Sequence, residues 1–265
     1  MQDVKAGFGK CNLHDLIDTL DAVPSSPYDS GMTSQPIRVA LTAIALLFSA
    51  PSVAAEKRYA ISDFDRIQVM GPFNVVIQTG RATSVTASGD AAALDMISVI
   101  SSSGVLTIQT LTKARSSWKD QPHKAAKLVI VLPKLIGLRL VGAGSIVAAE
   151  VRGITTNITL NGSGQINVAK LASDNATVRL NGAGRITVSG TAKNLDANVS
   201  GSGDLDATQL MASDLKIASS TSGRITAGAA RTADVKQNGA GEIRIIGKPS
   251  CLVENLGAGS ARCGD

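Results

Sequence analysis

Two carboxylates, Asp204 and Asp206, stand two residues apart in Gly203–Asp204–Leu205–Asp206. On a strand that spacing places both on one face, the least that paired-carboxylate chemistry on a glycosidic bond requires. The same four residues resemble one copy of a calcium-binding glycine–aspartate repeat, but that repeat has a nine-residue period and here stands alone. Zinc sites and nucleophilic triads lean on histidine, and after residue 55 the sequence holds only His123. Glycine pairs invite a nucleotide reading. A dinucleotide loop, however, must open a helix whose N-terminus meets the pyrophosphate, and here alternating runs such as QINV and RITV follow the pairs. We therefore expect no catalytic residue, no cofactor and no metal: the chain reads as a non-enzyme.

Recognition chemistry is better represented in the segment KARSSWKDQPHKAAK, residues 113–127. Trp118 stands there among Arg115, Lys119 and Lys124, which we take as the candidate ligand-binding residues. An indole surrounded by cations can stack on a sugar or meet an anionic polymer; the plainer alternative is a solvated hairpin connection with a partly buried ring. The formal net charge of +5 is dispersed and forms no nucleic-acid module, so no nucleic-acid partner is expected.

A repeat must position these residues. The pairs Gly142/Gly144, Gly162/Gly164, Gly182/Gly184, Gly201/Gly203, Gly239/Gly241 and Gly257/Gly259 recur, with Thr221 replacing the first glycine before Gly223. Successive second glycines are 20, 20, 19, 20, 18 and 18 residues apart. A fixed period of this length signals stacked coils. Four residues after the first corner residue come Ile146, Ile166, Ile186, Leu205, Ile225, Ile243 and Ala261; two before come Leu140, Leu160, Leu180, Val199, Ser219, Gln237 and Asn255. Apolar and polar residues alternate within each copy, as in half-buried strands. Between copies they form inward aliphatic columns, which lose large residues toward the C-terminus. The corners call for glycine with positive φ. Asn161, Asn181 and Asn238 precede corners, with Ser200 and Ser220 in the same slot, and stacked amides there can bond from coil to coil. An outward column holds Arg185, Asp204, Arg224 and Glu242, whose alternating signs predict a surface charge ladder.

Only 3% of the residues are aromatic, which suits coils that bury one another. Residues 61–111 also alternate, with Gly71–Pro72 and Gly80 as punctuation and a hairpin-like turn at Ser101–Gly104. Leu128–Leu132 is a further strand. We read 56–133 as a strand-rich cap and 134–265 as regular coils.

The run RVALTAIALLFSAPSVAA, residues 38–55, has a positive lead, an apolar stretch and small residues at Val53 and Ala55. That order is a signal peptide, residues 32–55, cleaved before Glu56, and the mature chain has no membrane span. Residues 1–31 form an N-terminal extension, with Met32 a natural alternative start. After cleavage Cys251 and Cys263 are the only cysteines, and an oxidising compartment predicts one disulfide between them.

The stretches FDRIQVMGPFNVVIQTG, KLVIVLPKLIGLRLVGAGSIVA, NGSGQINV and NGAGRITV resemble the autotransporter-adhesin head domain, or GIN domain, from about Phe64 onward. That resemblance implies a right-handed parallel β-helix-like solenoid, all-β, in an exported bacterial envelope protein, and implies no particular reaction. No membrane β-barrel segment follows the repeats, so self-translocation is not expected. The expectation is a periplasmic or secreted binding or scaffolding module whose partner is an envelope or extracellular glycan or protein. Two alternatives accompany it: a polysaccharide-active β-helix enzyme and a self-assembling structural protein.

Overall fold

Short alternating runs give strands, and the strands here stack coil upon coil instead of spreading into an open sheet. The computed structural model describes residues 55–80, 82–111 and 126–264. The expected extension and signal peptide lie outside the described residues, apart from Ala55. In chain order the strands are β1 (Ala55–Tyr59), β2 (Arg66–Met70), β3 (Asn74–Thr79), β4 (Ser84–Gly89), β5 (Ile97–Ser102), β6 (Val105–Thr110) and β7 (Lys127–Leu132), with one short helix, α1 (Ala91–Asp95), before β5. They continue as β8 (Gly137–Val141), β9 (Ser145–Ala148), β10 (Val151–Gly162), β11 (Gln165–Gly182), β12 (Arg185–Gly201), β13 (Asp204–Thr221), β14 (Arg224–Gln237), β15 (Glu242–Ile246), β16 (Ser250–Asn255) and β17 (Ser260–Cys263).

From β8 onward every pairing is parallel, and the register joins one repeat to the next: Ile166 to Ile186, Leu160 to Leu180, Gly162 to Gly182. The chain is an all-β solenoid of coils about 20 residues long. Columns inferred from spacing are its interior. Ile146, Ile166, Ile186, Leu205, Ile225 and Ile243 are all buried, as are Leu140, Leu160, Leu180 and Val199. Phe64 and Phe73 are the only buried phenylalanines among the described residues, so aliphatic packing carries the core.

The N-terminal strands are not simply a cap. β2 pairs in parallel with both β6 and β8, and β3 with both β7 and β9. Residues 66–79 are thus a solenoid coil, lying between β6–β7 and β8–β9. The chain lays down this inner coil first, then the end coil, and then crosses back to continue the stack. Gly71–Pro72–Phe73 is its corner: Gly71 has φ +136°, and its N–H donates to the Val141 carbonyl at 3.0 Å. Antiparallel strands close this end. β4 pairs with β7, β1 with β4, and β5 with β6 through Ser103 and Gly104, at φ +51° and +74°. Two successive positive φ values are the mark of a type I′ hairpin turn.

The corners depend on close backbone approach. Gly162 has φ +128°, and a Cβ there would sit 2.5 Å from the Gly142 carbonyl oxygen. A left-handed φ is found at Gly142, Gly162, Gly182 and Gly201 but not at Gly239 or Gly257. The change starts at Thr221, whose Oγ1 donates toward the Gly203 carbonyl at 3.2 Å and accepts from Gly223 N–H at 3.0 Å. A hydroxyl now ties the corner that glycine turned before, and the two coils that follow are the shorter ones. The inner column changes beside it. Ser219 and Gln237 are buried, and Ser219 Oγ and Gln237 Oε1 have no hydrogen-bond partner. Beyond them Asn255 is exposed.

The disulfide Cys251–Cys263 ties β16 to β17, with Cα atoms 6.6 Å apart.

The packing sets two expected stabilities. Gly162→Ala meets both a left-handed φ and a neighbouring carbonyl, and should cost about 2–4 kcal/mol in urea unfolding; a change within about 0.5 kcal/mol of zero, on the order of a surface substitution, would contradict the corner geometry. Replacing both Cys251 and Cys263 by serine opens a loop with a sequence separation of 12 and should lower stability by about 2–3 kcal/mol. Unfolding midpoints with and without reductant check it.

Candidate functional site

Outward side chains repeat at the coil spacing, so any residue type placed there becomes a column. On the first face Arg185 Nη2 lies 2.8 Å from Asp204 Oδ2, and Arg224 Nε lies 3.6 Å from Glu242 Oε2. The Arg224 backbone N–H also donates to Asp204 Oδ1 at 2.9 Å. That N–H, then the Arg185 guanidinium, holds the Asp204 carboxyl below the usual aspartate range. Asp206 Oδ1 accepts from Thr208 N–H at 3.1 Å and from its hydroxyl at 2.6 Å. A general acid needs a raised pKa; Asp204 has the opposite. The strip is a network of charges engaged with one another.

Corner amides stack where the column holds asparagine. Asn181 Nδ2 donates to Asn161 Oδ1 at 2.9 Å, and Ser200 Oγ donates to Asn181 Oδ1 at 2.6 Å. A second ladder runs on another face: Asn194 Nδ2 donates to Asn175 Oδ1 at 2.8 Å, and Thr232 Oγ1 donates to Asp214 Oδ1 at 2.6 Å. Arg231 also pairs with Asp214.

Beside this second ladder lies an open groove of about 560 Å³. Its floor is small: Gly153, Ala172, Ser173, Ala192, Ala212 and Ala230. Exposed Ile154 and Met211 supply apolar contact along it, at 75% and 43% exposure. Asp174 and Lys193, an ion pair at 2.9 Å, line it as well. The groove crosses five successive coils, and four coil spacings of about 4.8 Å make it about 19 Å long. Spacing from the glycine corners missed it because the mid-coil register slips, between Val168 and Leu171, between Thr187 and Gly190, and between Ala207 and Met211. The usable signal was Asn175, Asn194 and Asp214, at intervals near one coil.

Arg115, Trp118, Lys119 and Lys124, with His123, lie outside the described residues. Their segment joins β6 to β7, the strands of the end coil. Among the described residues no group of three or more metal-ligating side chains comes together, and no helix is long and apolar enough to cross a membrane.

A parallel β-solenoid whose outer columns are polar ladders and whose coils line an open groove belongs to the class of repeat proteins. Residues 63–249 match the model of the family described as "Putative auto-transporter adhesin, head GIN domain", and the chain is a member of that family. Solved structures share the fold. A "putative adhesin" from Bacteroides fragilis is 19% identical, with a TM-score of 0.69 over 81% of this chain and 98% of that one. A "putative lipid binding protein" from Parabacteroides distasonis is 23% identical, with a TM-score of 0.62 over 81% and 98%. Another "putative adhesin", from Parabacteroides merdae, is 16% identical, with a TM-score of 0.59 over 81% and 97%. No curated protein matches the chain.

The ladder makes a pH prediction. The folded-state pKa of Asp204 is depressed, so its contribution is present above the pKa of an unfolded aspartate and is lost as pH falls through the folded value. Asp204→Asn should flatten the acid limb of stability below about pH 4. At neutral pH it should cost about 1 kcal/mol or less, because the pair is exposed. Urea unfolding at several pH values measures both.

Proposed function

We propose that this chain is an exported, non-enzymatic recognition module that binds an extended, chain-like ligand along the small-residue groove. The groove itself carries the reading. A floor of glycine, alanine and serine lets a ligand backbone lie close, and Ile154 and Met211 offer apolar contact. The neighbouring Asn175–Asn194 ladder offers hydrogen-bonding groups at the coil period. A glycan or a stretched peptide of an envelope or extracellular partner has the shape for such a strip. Export is supported by the signal-like order of residues 38–55 and by the Cys251–Cys263 bridge, which belongs in an oxidising compartment. Arg115, Trp118, Lys119 and Lys124 are a second contact in this proposal, at the β6–β7 end.

The test is a binding screen of the purified chain against a glycan array, immobilised envelope fractions and anionic vesicles. Met211→Arg, which puts a long cation over the groove, should weaken the strongest hit at least about tenfold. Trp118→Ala should weaken it less. Loss of binding in Trp118→Ala with full binding in Met211→Arg would move the site out of the groove. Turnover of a glycan hit by the wild-type chain would overturn the non-enzymatic reading.

A further inference from the structure

The two ends of the solenoid are finished differently. At the N-terminal end, antiparallel strands cover the coils; of the two outer strands there, β1 carries Glu56, Lys57 and Arg58, a charged edge that discourages pairing, and β5 is rich in serine. At the other end, among the described residues, β16 pairs only with β14, and β17 only with β15. Each therefore presents an unpaired edge. All six residues of β16 are exposed. Leu252, Val253 and Leu256 stand among the exposed large hydrophobic residues, although Val253 belongs to an inward column that is buried one coil earlier, at Val235.

We propose that this end docks against the same end of a second copy, related by a two-fold axis through the last corner. The end coil is built symmetrically about Ala258, the middle residue of the Gly257–Gly259 corner. Turning a second copy by 180° about an axis through that corner and the solenoid interior lays β16 antiparallel on the partner's β17, and β17 on the partner's β16. Each residue then faces the one equally far from Ala258 on the other side. Inward residues meet inward residues, Val253 with Cys263 and Asn255 with Ala261, so the core columns continue across the junction. Outward, Glu254 meets Arg262, and symmetry makes the pair twice.

Charge favours this occupant over an unrelated one. Arg262 is exposed at the end of the stack, in register over Arg244, and in none of the ion pairs among the described residues. A partner carboxylate placed beside Arg262 gives it an opposite charge. Glu254 already takes one cation, Lys236 at 3.0 Å, and it keeps enough exposed surface to meet a second. Isologous contacts of this kind close on themselves, giving a dimer and not a fibre.

The experiment is sedimentation equilibrium of the purified chain over a concentration series, with Glu254→Arg, Arg262→Glu and the two variants mixed. The wild type should form a dimer. Each variant alone places like charges opposite each other twice and should weaken dimerisation at least about tenfold. Mixed in equal amounts, the variants should dimerise again, because the arginine introduced at position 254 of one then faces Arg262 of neither copy's own kind but the glutamate introduced at position 262 of the other. Circular dichroism of each variant reads its folding separately. A wild type that stays monomeric at every concentration would overturn the proposal. So would variants that dimerise as well as wild type, or folded variants that fail to recover on mixing.

Discussion

At each regular corner, from Gly144 to Gly259, a carbonyl oxygen of one coil lies so near the second glycine of the next that no Cβ fits between them. Everything else depends on that contact. It lets the chain turn without leaving the ladder: Gly164 N–H reaches the Gly142 carbonyl at 3.0 Å, and Gln165 N–H the Gly144 carbonyl at 2.9 Å. With the ladder unbroken through the corner, side chains one coil apart stand in register on the faces that flank it. The aliphatic columns then become a core without large rings, and each buried residue is covered above and below by its own equivalents.

The same register writes the surface. A residue type placed once is an isolated side chain; placed at each coil it becomes a line. Asparagine gives the Asn161–Asn181 and Asn175–Asn194 ladders, alternating charges give Arg185–Asp204 and Arg224–Glu242, and small residues give the groove. The charged line is satisfied internally, and its depressed Asp204 serves stability more readily than proton transfer. The groove differs in leaving apolar side chains in water, the feature on which the proposed recognition rests.

The regular coils were legible because two signals coincided, the glycine pairs and the aliphatic residues counted from them. Where either weakened, detail was lost. Residues 66–79 form a coil, yet Phe73 stands where the later corners have a second glycine, so the copy escaped the count. The groove sits where register slips make the coils unequal, as between Thr187 and Gly190. The Thr221 corner is tied by its hydroxyl, and the corners after it keep their glycines without the left-handed φ. Loss of apolar character along the column Val199, Ser219, Gln237 was plain in the sequence. That two of its polar atoms are buried without partners needed the structure.

If stacked aliphatic columns hold the solenoid together, stability must vary along it. Native-state hydrogen exchange of the Glu254→Arg chain, whose like charges keep it monomeric, measures this directly when resolved coil by coil. The account predicts that the slowest amides lie between Ile166 and Val199, and that amides from Ile243 to Cys263 exchange at least about a hundredfold faster through local opening. Uniform protection along the coils, or greatest protection in the C-terminal ones, would contradict it.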